Sequence, residues 1–267
     1  MQGSRFIRSQ VRNARVFLAM QLYAWKEVLA YRASAIFLLL AIAVGPILNF
    51  IFITVIYSVS SGIAGWSYYQ LLFLSTMSSF IISMLNYFSS PRAIVALMRQ
   101  GGLDIYLTRP YSPYLSSLAL GSIYSLSGAF TSVAIIAYAL LNIGPSAASL
   151  LEFVVVAAFG LAAIISFMMV FTMVVYSLMR SARWAGNLMN VFGEFSSYPL
   201  QIYSIIGVFV FSLLIPIGLA IYYPAEILLG RVNAWVALAI VLFAVVLIYI
   251  FRKAFYHYLK NYTSAIG

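Results

Sequence analysis

The amino-acid sequence predicts an all-α polytopic membrane protein. Six membrane-spanning helices are expected, preceded by an amphipathic helix in the membrane interface and interrupted by a short helix in a cytoplasmic loop. Three observations predict this. Of 267 residues, 64% are hydrophobic and 7% charged, with a mean hydropathy of +1.03, too little charge to clothe a soluble domain of this length. Apolar runs of roughly 18 residues or more recur, and an apolar helix of ~20 residues crosses the ~30 Å hydrocarbon layer. The runs are continuous rather than alternating, which excludes a β-barrel and leaves helices as the way to satisfy the backbone in lipid.

Residues 1–32 come first as a cytoplasmic, interfacial helix. Arg5, Arg8, Arg12 and Arg15 recur at helical spacing and fall within an arc of roughly 80°. Phe6, Ile7, Val11, Phe17 and Leu18 lie on the other side, so the helix presents its basic face to anionic head groups. Arginines ahead of the first apolar run do not suit a cleavable leader.

The membrane domain is expected over 33–251. The first span, about 33–57, carries Gly45-Pro46 and Asn49 near its middle. A Gly/Ser turn leads to a second span over 68–88. Residues 89–114 are the first sizeable polar stretch. Pro91 suits a first helical turn, and Gly101-Gly102 ends the short helix that follows. The third span is expected over 115–141, with Ser117, Gly121, Ser125 and Ala129 as a stripe of small residues for close helix approach. The fourth is expected over 150–179.

Residues 184–230 admit two readings. In one, the fifth span is 203–221 and the polar segment 184–198 lies in the interface. In the other, 184–198 crosses and 199–221 is a re-entrant hairpin broken at Pro199, Gly207 and Pro216. If 184–198 crosses, Asn187, Asn190 and Glu194 form a polar face at i, i+3 and i+7, suited to a pathway or a helix contact. The last span is expected over 234–251, followed by a basic-aromatic cytoplasmic tail over 252–267.

With both ends in the cytoplasm, all of the 15 Lys and Arg residues except Arg231 fall on the cytoplasmic side. The net charge of +10 is thus a topology signal rather than a nucleic-acid footprint. No cysteine is present, and Gly101-Gly102 lacks the Lys-Ser/Thr of a phosphate-binding loop. One histidine and scattered carboxylates do not make a catalytic or metal-binding set, so no cofactor is expected and the chain is not expected to be an enzyme.

The segment RQGGLDIYLTRPYSP, Arg99–Pro113, carries the sharpest signal. Gly101, Leu103, Asp104, Leu107 and Pro110 fit a Gly-x-Leu-Asp-x-x-Leu-x-x-Pro pattern. YPLQIY at 198–203, YYPAEILLG at 222–230 and the terminal YTSAIG follow in order. Together they resemble the ABC-2-type transporter permeases, over nearly the whole chain. The resemblance implies one of two membrane subunits of an ABC exporter, paired with a second copy or a related permease. A separate ATPase subunit would dock on the cytoplasmic face. Arg99, Gly101, Leu103, Asp104, Leu107, Arg109 and Pro110 would form the coupling loop, behind a short lever helix. It also favours the re-entrant version of 199–221. Two other classes remain: a stand-alone secondary transporter, which would need charges within the membrane, and a membrane assembly factor.

Overall fold

The computed structural model describes residues 2–60, 62–88, 91–99, 111–179, 187, 191 and 193–260. Among the described residues, eleven α-helices follow in chain order: α1 Gln2–Ala30, α2 Arg32–Val59, α3 Tyr68–Phe88, α4 Pro91–Arg99, α5 Pro113–Ser117 and α6 Ser125–Ile143. They continue as α7 Ala147–Met179, α8 Ile205–Phe209, α9 Ile217–Ala220, α10 Tyr222–Leu228 and α11 Ala234–Lys260. Among the described residues, five stretches are helical, long and apolar enough to cross a membrane, and they include α2, α3, α6, α7 and α11. The second of these candidates takes in both α3 and α4, from Tyr68 to Met98. A bent pair, Ile205–Leu214 with Ile217–Leu228, turns through 76°.

Buried side chains concentrate on α3 and α7. Leu71 to Ser78 of α3 are all buried, whereas α2 buries only Ala35, Pro46 and Ile53. A helix buried all round is a bundle's centre, and one left apolar and open faces lipid or another subunit. The centre is sealed where α2, α3 and α6 meet at Gly128. A Cβ there would stand 2.7 Å from Ser83 Oγ and 3.2 Å from Ile42 Cγ2. Pro46 sits inside α2 and cannot donate to the Ile42 carbonyl, which turns toward this glycine.

The small-residue face exists in a shifted register. The third span starts at Ser125 rather than at 115, because α5 and a 3₁₀ turn, Leu118–Leu120, come before it. Gly121 falls in the intervening turn, pressed against the backbone of Tyr87, and Ser122 N–H donates to Asn86 C=O at 2.8 Å. The packing face is Ser125, Gly128, Ala129 and Ser132. The last helix continues without a break past 251 to Lys260, so the basic residues of 252–260 lie on it.

α1 lies against the end of the bundle that carries α5. Asn13 Oδ1 accepts from Ser112 N–H at 3.1 Å, and Phe17 stacks on Phe88 at 6.5 Å. Ala24 and Val28 complete that packing face. Arg12 and Arg15 are exposed beside a second exposed face of Leu18, Leu22, Trp25 and Leu29. One open face is basic and the neighbouring one apolar, the arrangement of a helix lying along a membrane surface.

Candidate functional site

Three places carry polar or protruding features in the bundle. The first is α4. Its Ile94 and Val95 are each about 1% exposed. Ile94 packs in one cluster with Met169 and Met173 of α7, Tyr114 of α5, and Phe255 and Leu259 of α11. Tyr114 is held from both sides: its hydroxyl meets Ser166 Oγ of α7 at 2.6 Å, and its ring meets Phe255 edge-on at 5.4 Å. Burial pushes the Tyr114 phenol above its ordinary range, against the lowering effect of Ser166 and Arg252, so it stays a neutral donor. Ser112 caps α5 through Leu115 N–H and meets the Tyr256 hydroxyl at 2.9 Å. Thus α4 is seated on three elements at once, and one of them, α7, runs for about 50 Å through the bundle.

The loop that follows α4 was expected to carry the coupling chemistry. Gly101, Leu103, Asp104, Leu107, Arg109 and Pro110 lie outside the described residues. Arg99 is the last residue of α4. Of the interfacial arginines, Arg12 and Arg15 are exposed on α1, and Arg5 and Arg8 belong to the same helix, with side chains outside the described set.

The second place is the segment before Pro199. Asn187 and Glu194 are helical and exposed, and Asn190 lies outside the described residues. Gly193 is buried, and its carbonyl accepts from Ser78 Oγ at 2.8 Å. A Cβ on Gly193 would run into the Ile82 side chain. Ser78 stands halfway along α3, so Glu194 sits at mid-bundle depth with its side chain open.

The third place, at the far end, was not foreseen as a site. Glu226 is buried, 7% exposed. Its Oε1 stands 3.1 Å from Arg231 Nη1, and Arg231 Nη2 donates to Gln70 Oε1 at 2.9 Å. The guanidinium also lies over the Trp66 ring, 4.5 Å from its centroid. Gln201 Nε2 reaches the same Glu226 oxygen at 3.5 Å. Aromatic rings surround this end: Tyr57, Tyr68, Tyr69 and Tyr138 meet edge-on in series, and Trp66 adjoins Tyr222. The signal in the sequence was Arg231 itself, the one cation out of place, with a glutamate five residues earlier.

This cluster bears on the two readings of 184–230. Gln201 before the bent pair and Glu226 near its close meet at one end, beside Gln70 at the start of α3. The pair therefore leaves and returns to the same end of the bundle. A straight span over 203–221 is overturned. The chain instead turns at Pro216, between a π-helical stretch, Val210–Leu214, and α9. Gly207 is not a break, since it lies inside α8. At the base of the turn, Gly160 of α7 meets the Leu219 backbone, an approach that only a glycine permits. Gly193 opposite Ser78 and Gln201 near the Gln70 end give residues 193–201 an antiparallel course along α3.

Comparison with known proteins agrees with this architecture. The family model described as ABC-2 family transporter protein matches residues 43–266. No curated protein and no solved structure matches. That family's members are membrane subunits whose ATPase is a partner. With most of its length matched, and with five helices among the described residues long and apolar enough to cross a membrane, the chain belongs to the ABC-2 transporter family, as a membrane permease subunit of an ABC transporter.

Proposed function

We propose that this permease is the translocating half of an exporter, driven by an ATPase that docks at α4 and at the loop after it. The observation that carries the reading is the seat of α4. Ile94 is sealed in one cluster with side chains of α5, α7 and α11, and Val95 beside it is buried, so a push on α4 is passed to the bundle. Close-packed interiors transmit displacement rather than damp it. The path runs along α7 to Gly160 and there to Leu219 of the bent pair. Asp104 and Arg109 supply charged contacts to the ATPase, and Leu103 and Leu107 fill a groove on it. Arg99, Gly101 and Pro110 shape the turn. The side bearing α1, α4 and the end of α11 is cytoplasmic, by the bias of basic residues, and the Glu226–Arg231 end is external.

Two copies, or this chain and a related permease, enclose the pathway. Glu194 supports this part of the reading. A carboxylate open to the surface at mid-bundle depth is costly against lipid, so its face, with Asn187 and Asn190, looks onto the pathway or the partner subunit.

The test is charge reversal at the loop, Asp104→Lys and Arg109→Glu, in the complex with the ATPase. Both should weaken co-purification or leave ATP hydrolysis running without transport, while the bundle stays folded. Unchanged assembly and coupling in both variants would remove the docking assignment.

A further inference from the structure

One face of α11 has the chemistry of an amphiphile. Leu238, Leu242, Val245, Tyr249, Lys253, Tyr256 and Lys260 follow one another at steps of three and four, so they share one side of the helix. The opposite side, Ala237, Ile240, Ala244 and Leu247, is buried against the bundle. The open side is apolar over its first four turns: Leu238 is 49% exposed, Leu242 59%, Val245 44%. It then turns basic within a single helical turn.

At that change a concavity of about 500 Å³ opens between Tyr249, Arg252, Lys253, Tyr256, His257 and Lys260. Arg252 and Lys253 lie over ring faces, and among the described residues neither is paired with an acid. Arg252 lies 5.8 Å from the Tyr114 ring centroid, and Lys253 Nζ lies 4.8 Å from that of Tyr249. α11 carries no Asp or Glu. Cations placed on aromatic faces keep their charge available to an anion.

We propose that this concavity binds the phosphate head group of an anionic phospholipid, its acyl chain lying along Leu242, Val245 and Leu238. Charge complementarity selects the anion, and the apolar stripe joined to it selects a lipid over a free phosphate. The proposal rests on the membrane insertion of α11 and stands whether or not the exporter reading holds. Tyr249 and Tyr256 sit at the level where the two parts of such a lipid meet, the usual depth of tyrosine in a bilayer.

The experiment is native mass spectrometry of the full chain in detergent, titrated with phosphatidylglycerol and, separately, with phosphatidylcholine of the same chains. Phosphatidylglycerol should bind at one preferred site, and glycerol phosphate should fail to displace it. The variant Arg252→Gln/Lys253→Gln/Lys260→Gln should weaken it on the order of 100-fold, at ~1 kcal/mol for each basic residue near a membrane surface. All three side chains are exposed, so the variant keeps its core. Lys26→Gln/Arg32→Gln, exposed away from α11, should leave that site unaltered. Equal loss in both variants would reduce the effect to overall charge and overturn the proposal. So would unchanged phosphatidylglycerol binding with lost ATPase assembly, which would make this face a protein contact.

Discussion

Arg231 Nη1 stands 3.1 Å from Glu226 Oε1 while Nη2 holds Gln70, so one guanidinium joins the returning end of the bent pair to the first turn of α3. The glutamate is the more buried partner, with 9% of its side chain exposed against 31% for the arginine. Losing the arginine should therefore cost more than losing the acid, because it strands a buried charge. Arg231→Met should destabilise by about 1–3 kcal/mol and Glu226→Gln by less. The double variant should cost less than the sum. Thermal melts in detergent read this cycle, and strictly additive losses would show that the two residues act apart.

Gly160 makes a second prediction. A Cβ at this position meets backbone atoms of Leu219 and Ala220, which have no rotamer to yield. Gly160→Val should push the bent pair off α7 and lower the recovery of monodisperse protein sharply. Val155→Ala, on an exposed face of the same helix, should change stability by no more than about 1 kcal/mol. Size-exclusion profiles of the two variants make the comparison.

Orientation is open to a clean test, since the chain has no cysteine of its own. Ala148→Cys lies exposed near the start of α7, and Lys260→Cys lies exposed at the end of α11. An impermeant maleimide should label the first in intact cells and the second only after permeabilisation. The reverse pattern would invert the bundle and remove the ATPase-docking surface with it.

Glu194 yields a fourth. If its face looks onto the pathway, Glu194→Leu should lower transport while leaving assembly and ATP binding intact. The variant should also be no less stable than the parent, because it removes a carboxylate exposed at mid-bundle depth. Transport at the parental rate would take Glu194 out of the pathway.

The spans were legible wherever hydropathy alone decides: α2, α3, α7 and the start of α11 lie within three residues of their expected bounds. The signal failed where the backbone changes course inside an apolar run. Leu115–Tyr124 reads as membrane helix, yet Gly121 and the close approach of Tyr87 break it there. Residues 203–221 are apolar enough to span, and only the contacts of Gln201 and Glu226 show that they turn back. Hydropathy measures where a segment is comfortable and carries no information about its direction. Arg231 was visible as the exception to the charge bias. Its second partner could not be named, because a pairing across 161 positions, Arg231 with Gln70, leaves no periodic trace.

That separation has a consequence for how the protein is made. A chain is synthesised from its N-terminus, and its parts fold as they emerge. Gln70 reaches the bilayer long before the ribosome has added Arg231, and the bent pair lies wholly between the two. The hairpin must therefore wait, unfastened, while α7 is already in place to receive it. Its docking is a late act of biogenesis, completed only when the connection into the last helix has been translated.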